Sequence, residues 1–160
     1  MTVHQHGKGL RIAAVGEAGL VYDVLVRTRE LPAALETVKR HAGMRFVVDH
    51  AAKPRIAAGA RDEAWEKALA PLAEHANVTC KLSGLVTEAK WKAWTPQQLE
   101  PYVRQVLDWF GPERCMFGSD WPVCLLAAPY ADVVKAMRSI AGEDPNVFGG
   151  TATRVYGLTI

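Results

Sequence analysis

Apolar positions along this chain follow two alternating rhythms. Four short runs rich in β-branched and aromatic residues read as buried strands: Leu20 to Val26, Arg45 to His50, Val78 to Leu82, and Cys115 to Gly118. Between and after them come longer stretches with helical spacing. Pro32 to His41 places Leu35 and Val38 on one face, with Pro32 suited to a first turn. Asp62 predicts the cap of a second helix through Ala64, Trp65, Ala68, Leu69 and Leu72, which Pro71 should kink or shorten. Thr95-Pro96-Gln97-Gln98 reads as a cap with proline in the first turn, opening a helix that runs to Phe110 and stops at Gly111-Pro112. A helix from Tyr130 to Ile140 follows, and another is predicted from Val147 to Leu158.

Strand and helix alternating four times imply parallel strands joined by crossovers, an α/β fold. A closed eight-fold (β/α) barrel takes about 250 residues. With 160 residues and four βα units, this chain accounts for half of one.

Composition narrows the function classes. A formal net charge of +2, spread along the chain, gives no footprint for nucleic acid or for a membrane surface. No apolar run approaches the length needed to cross a bilayer, and Met1 to His6 has no apolar leader, so a cytoplasmic protein is expected. Cys80, Cys115 and Cys124 are widely spaced, with no Cys-x-x-Cys pair. They suit reduced, buried thiols rather than disulfides or a structural zinc site.

The chemistry gathers where the strands end: Asp49-His50, Lys81 to Ser83, and Ser119-Asp120. Phe117-Gly118-Ser119-Asp120-Trp121-Pro122 is the most informative segment. A buried run turns on two small residues and presents a carboxylate at its carboxyl end, beside a large indole. The carboxyl ends of parallel strands are where α/β barrels carry their active sites. Ser83 reads as turn chemistry before Gly84, and His41 and His75, near helix C-termini, as structural. Trp65, Trp91, Trp94 and Trp109 read as helix packing, which leaves Trp121 as a candidate pocket wall.

Four segments in one order carry a family likeness: Val47 to Pro54, Cys80-Lys81-Leu82-Ser83-Gly84, Met116 to Pro122, and Gly150 to Tyr156. Together they resemble the amidohydrolase-related proteins of the amidohydrolase superfamily, and within it the sugar-lactone and fuconolactone hydrolases. The likeness runs from about Gly9 to the C-terminus. Over residues 9–160 it implies the C-terminal half of a TIM-like (β/α)8 barrel, with the first four strands of the family absent; residues 1–8, outside the likeness, are expected to be disordered or irregular.

By position, the resemblance implies that Asp120 activates the hydrolytic water as general base. His50 would polarise the substrate or, in metal-dependent members, bind a divalent metal (zinc or manganese) together with Asp120. Tyr22, Lys81 and Trp121 fall where substrate contacts are expected. Family members begin with a His-x-His pair that completes the metal site. His4-Gln5-His6 has that pattern, but too few residues precede it to form a barrel strand. No organic cofactor is expected.

The function implied is hydrolysis of a lactone, a cyclic ester of a sugar acid or dicarboxylate, by water attack with Asp120 as base. Two alternatives remain at this stage. One is a non-catalytic half-barrel that works only when paired, as a homodimer or with a separate N-terminal half. The other is a decarboxylase of the same superfamily. The partner expected of the hydrolase is a small lactone or carboxylate substrate.

Overall fold

In the computed structural model, which describes residues 12–159, the four apolar runs form strands, three of them shorter than the runs that predict them. They are β1 (Val21–Val24), β2 (Arg45–Val48), β3 (Val78–Leu82) and β4 (Cys115–Phe117), in one parallel sheet of order β1-β2-β3-β4. Residues 12–17 are helical (α1). They are followed by α2 (Leu31–Arg40), α3 (Glu63–Ala73), α4 (Leu85–Glu88), α5 (Pro96–Phe110), α6 (Tyr130–Ala141) and α7 (Thr151–Tyr156). Each strand pairs in register with the next in sequence, Asp23 opposite Val47, Val47 opposite Thr79, and Lys81 opposite Met116. Sequential order with helical crossovers is the arrangement of one side of a β/α barrel.

Alternation along the strands gives the sheet two unlike faces. Val24, Phe46, Val48, Val78, Cys80, Leu82 and Cys115 join the main core with α2, α3 and α5, around Trp65, Leu69, Leu99 and Val103. Asp23, Val47, Thr79, Lys81 and Met116 belong to the other face. The end of α7 lies against that second face. Arg45 donates to the carbonyl of Val155 at 2.8 Å, and the Tyr156 hydroxyl sits 2.9 Å from Asp23 Oδ2.

The helix signals act as the residues predict. The Asp62 carboxylate accepts from Trp65 N at the start of α3, and Gln98 Oε1 accepts from Thr95 N at the start of α5. Two expectations are corrected. Pro71 does not cut α3 short of Leu72, since the helix continues to Ala73; the proline falls in the last turn, where it removes a single bond before the helix ends. The last helix is shorter than predicted. Asn146–Gly150 forms one wide turn closed by Gly150 N on Pro145 O at 2.9 Å, and only Thr151–Tyr156 is α-helical. Gly149, at φ +156°, interrupts the pattern that reads as one continuous helix.

The three cysteines are all free and buried. Burial raises the thiol pKa of Cys115 to about 12 and that of Cys80 well above the ordinary range, so neither is a nucleophile. No helix among the described residues is long and apolar enough to cross a membrane.

Candidate active site

His50 follows the end of β2 on a turn that its sequence does not announce. His50, Ala51, Ala52 and Lys53 all have left-handed backbone, with φ of 53°, 46°, 56° and 56°. Each such non-glycine residue costs roughly 1–2 kcal/mol, so the surroundings must hold the turn. They do so at several points. Lys53 N bonds His50 O at 2.8 Å, Trp65 Nε1 donates to Ala51 O at 2.6 Å, and Ala51 and Ala52 are fully buried. Lys53 also reaches Glu88 of α4, and Arg27, beyond β1, reaches the same carboxylate at 3.0 Å. One glutamate therefore ties together the loops after β1, β2 and β3.

Asp120 stands beyond β4, also left-handed at φ 58°. The ladder continues past the strand through Gly118 N on Leu82 O, and Asp120 O accepts from Cys124 N at 2.8 Å, which anchors the turn that follows. The Trp121–Pro122 peptide is cis.

The two turns bring the predicted pair together. His50 Nε2 lies 3.8 Å from Asp120 Oδ1, and the side chains are only 17% and 14% exposed. On its other edge, His50 Nδ1 is 2.7 Å from Ser83 Oγ. Burial lowers the His50 pKa, against the pull of Asp120 and Asp49, so the ring is neutral at physiological pH. A carboxylate free to accept a proton, beside a neutral imidazole at the carboxyl ends of β2 and β4, is equipped for general-base chemistry on a polarised carbonyl.

These two groups do not complete a metal centre. Catalytic zinc usually takes three protein ligands, and among the described residues no cluster of three His, Cys, Asp or Glu side chains could hold an ion. His4 and His6 lie outside the described residues.

Lys81 is placed differently from a free substrate contact. Its ammonium lies 2.6 Å from Asp49 Oδ1 and 3.1 Å from Asp23 Oδ2, bridging β3 to β1 and to the end of β2. Burial alone would lower its pKa, but bonds to Asp49, Tyr156 and Asp23 outweigh it and hold the amine above its ordinary range. Lys81 is thus a fixed cation and not a proton carrier. Asp49 Oδ1 is buried, and among the described residues the Lys81 ammonium at 2.6 Å is the group that compensates it. Tyr22 is on the core face, packed edge-on against Phe46 with ring centres 6.1 Å apart, opposite to the face that carries Asp23 and Lys81. Trp121, beside Asp120, is 66% exposed.

Three residues of this cluster escape the sequence reading: Asp23, Tyr156 and, as a partner of His50, Ser83. The first two pair across 133 positions and the third across 33. Ser83 follows a strand and precedes a glycine, which signals a turn; nothing in the sequence reports the imidazole it meets.

Comparison with known proteins places this geometry. The Amidohydro_2 amidohydrolase family matches residues 6–158. An L-fucono-1,5-lactonase of Burkholderia multivorans is 46% identical over 152 residues, covering 86% of this chain and 51% of that protein. A crystal structure of an amidohydrolase from Burkholderia multivorans with bound zinc superposes with a TM-score of 0.88 at 41% identity, covering 94% of this chain and 57% of that one. Amidohydrolase 2 from Bifidobacterium longum subsp. infantis superposes with a TM-score of 0.76 at 27% identity. The chain spans about half the length of the relatives it matches, and its four strands are part of an amidohydrolase (β/α) barrel. By family match, fold and the residues at its strand ends, this chain belongs to the amidohydrolase family.

Proposed function

We propose that this chain carries the water-activating half of a sugar-lactone hydrolase site. The observation that supports this reading best is the approach of His50 Nε2 to Asp120 Oδ1, 3.8 Å apart at the carboxyl ends of two barrel strands. Relatives named as L-fucono-1,5-lactonases narrow the substrate class to the lactone of a sugar acid.

In this reading the Asp120 carboxylate takes a proton from a water as that water attacks the lactone carbonyl. His50 polarises the carbonyl and faces the oxygen on which negative charge develops. The tetrahedral intermediate then collapses with cleavage of the ring C–O bond. Asp120 returns its proton to the departing ring oxygen, which becomes a hydroxyl of the open acid. The product carboxyl ionises and releases one proton to solvent. Trp121, exposed beside Asp120, offers an apolar wall to the sugar ring, and the Lys81 cation keeps Asp49 and Asp23 fixed beneath. A divalent ion bound at this place would polarise the same carbonyl and lower the pKa of bound water. Its remaining ligands would come from outside the described residues.

The test is a panel of sugar 1,5- and γ-lactones followed by proton release, with and without zinc or manganese. A positioned general base contributes on the order of 100- to 10,000-fold, so Asp120→Asn is expected to lose at least about 100-fold in kcat/KM. Turnover that survives the substitution would remove Asp120 from the role.

A second reading, a half-barrel that acts only when paired, is favoured by the sheet edges. Among the described residues β1 pairs with β2 alone and β4 with β3 alone. Exposed apolar side chains collect beyond those edge strands: Leu20 and Leu25 at β1, and Val123, Leu125 and Leu126 after β4. Unpaired parallel edges demand a partner. Four further strands in parallel would close the barrel, and the site would then work as an assembly.

A further inference from the structure

The His50 ring is held more closely than a strand-end histidine requires, and its clamp is the segment after β3. Ser83 is 4% exposed, and its hydroxyl has one hydrogen-bond partner among the described residues, His50 Nδ1 at 2.7 Å. The next residue, Gly84, forms the seat of the ring. At φ +64° it adopts a backbone that favours glycine, and a Cβ there would come within 2.8 Å of His50 Nδ1 and 2.9 Å of Cγ. The left-handed turn fixes the ring from its own backbone. Only Nε2 is left facing the site, toward Asp120 Oδ1.

Which ring nitrogen carries the proton follows from satisfying both neighbours. A serine hydroxyl can donate or accept, whereas neutral imidazole has one N–H and one lone pair. If Nδ1 held the proton, Ser83 would accept it, and its own buried hydroxyl proton would have no acceptor among the described residues. The Nε2 lone pair would then face a carboxylate. If Nε2 holds the proton, Ser83 donates to the Nδ1 lone pair, and the Nε2–H dipole points at the Asp120 carboxylate. The second arrangement leaves neither group unsatisfied.

We infer that Ser83 is a positioning residue whose hydroxyl donates to His50 Nδ1, holding the imidazole in the tautomer with its proton on Nε2. That N–H is aimed at the space in front of Asp120. Its use as the donor to the developing oxyanion rests on the lactonase reading above; the tautomer itself does not. In this state Nε2 has no lone pair to offer a cation, so ligation of a metal through it would require the proton to move to Nδ1 and Ser83 to reverse its bond.

The direct test is a long-range proton–nitrogen correlation spectrum of the imidazoles in the uniformly labelled 160-residue chain, without added metal, at mildly alkaline pH. The His50 signals are identified by their loss in His50→Gln. The expected spectrum has a protonated Nε2 and an unprotonated, hydrogen-bonded Nδ1 for His50. In Ser83→Ala the Nδ1 resonance shifts toward that of a free ring nitrogen while the other imidazoles stay in place. A proton on Nδ1 in the unsubstituted chain overturns the inference, as does an Nδ1 resonance that ignores the loss of Ser83. If Ser83→Ala does not fold, the spectrum of the unsubstituted chain still decides by where the proton resides. A folded chain without lactone turnover that nevertheless shows the Nε2–H form would remove the hydrolase reading and leave this one standing.

Discussion

At the scale of single residues, the site depends on titratable groups taken out of water and held against partners. His50 is the example with a measurable sign. Burial lowers its pKa below the ordinary value of 6.5, so the folded chain binds the His50 proton less readily than the unfolded chain. Stability should therefore be full above about pH 6.5 and fall as the pH drops through the window between that value and the lowered one. Denaturant midpoints followed across this range should show the decline, and His50→Gln should flatten that part of the curve. An unchanged slope in the variant would mean that His50 is not the group responsible. Lys81 makes a second case. Replacing it with methionine leaves Asp49 and Asp23 without their shared cation, and removing one partner from a buried pair costs up to about 3–5 kcal/mol. The expected result is a loss of roughly 2–3 kcal/mol in urea unfolding, given the partial exposure of the group; a loss below about 0.5 kcal/mol would mean solvent already screens the pair. Asp120 and His50 were legible in the sequence because each stands where an apolar run stops. The clamp around them was not, because Ser83, Asp23 and Tyr156 reach their partners across the sheet.

Among the elements, capping chemistry carried the helices. Gln98 announces α5 by accepting from Thr95 N, with Pro96 fixing the first turn, and Asp62 announces α3 by accepting from Trp65 N; each side-chain oxygen satisfies a free backbone N–H. The turn after β2 stayed hidden for the complementary reason. His50-Ala51-Ala52-Lys53 contains neither glycine nor asparagine, the residues that mark left-handed backbone. Its shape is imposed from α3, through the bond from Trp65 Nε1 to Ala51 O. Trp65→Phe keeps most of the buried ring and removes the donor. It should cost about 1–3 kcal/mol through the unsatisfied carbonyl, and it should lower lactone turnover by letting His50 drift. Unfolding in urea together with kcat checks both. A variant as stable and active as the parent would show that the turn holds itself.

For the whole molecule, length and rhythm were decisive. Four βα units in 160 residues point to half a barrel, and the superposition on proteins of about twice the matched length bears this out. The sequence could not disclose how α7 meets the sheet. Its contacts, Tyr156 on Asp23 and Arg45 on the Val155 carbonyl, join residues more than a hundred positions apart. The described residues superpose on part of a zinc-bound amidohydrolase about twice the matched length, and among them β1 and β4 each pair on one side only. Sedimentation of the purified chain is therefore expected to show a dimer or larger species at micromolar concentration, held by the apolar side chains beyond β1 and β4; a strictly monomeric, soluble chain would contradict the pairing.

The most direct measurement of the central claim joins chemistry to assembly: the rate of sugar-lactone hydrolysis per chain, followed over a wide range of chain concentration, with Asp120→Asn alongside. Activity per chain that rises with concentration and disappears in Asp120→Asn is the predicted result, and means that paired half-barrels build a working site around this carboxylate. A folded sample with no turnover at any concentration, or turnover that Asp120→Asn leaves intact, would contradict it.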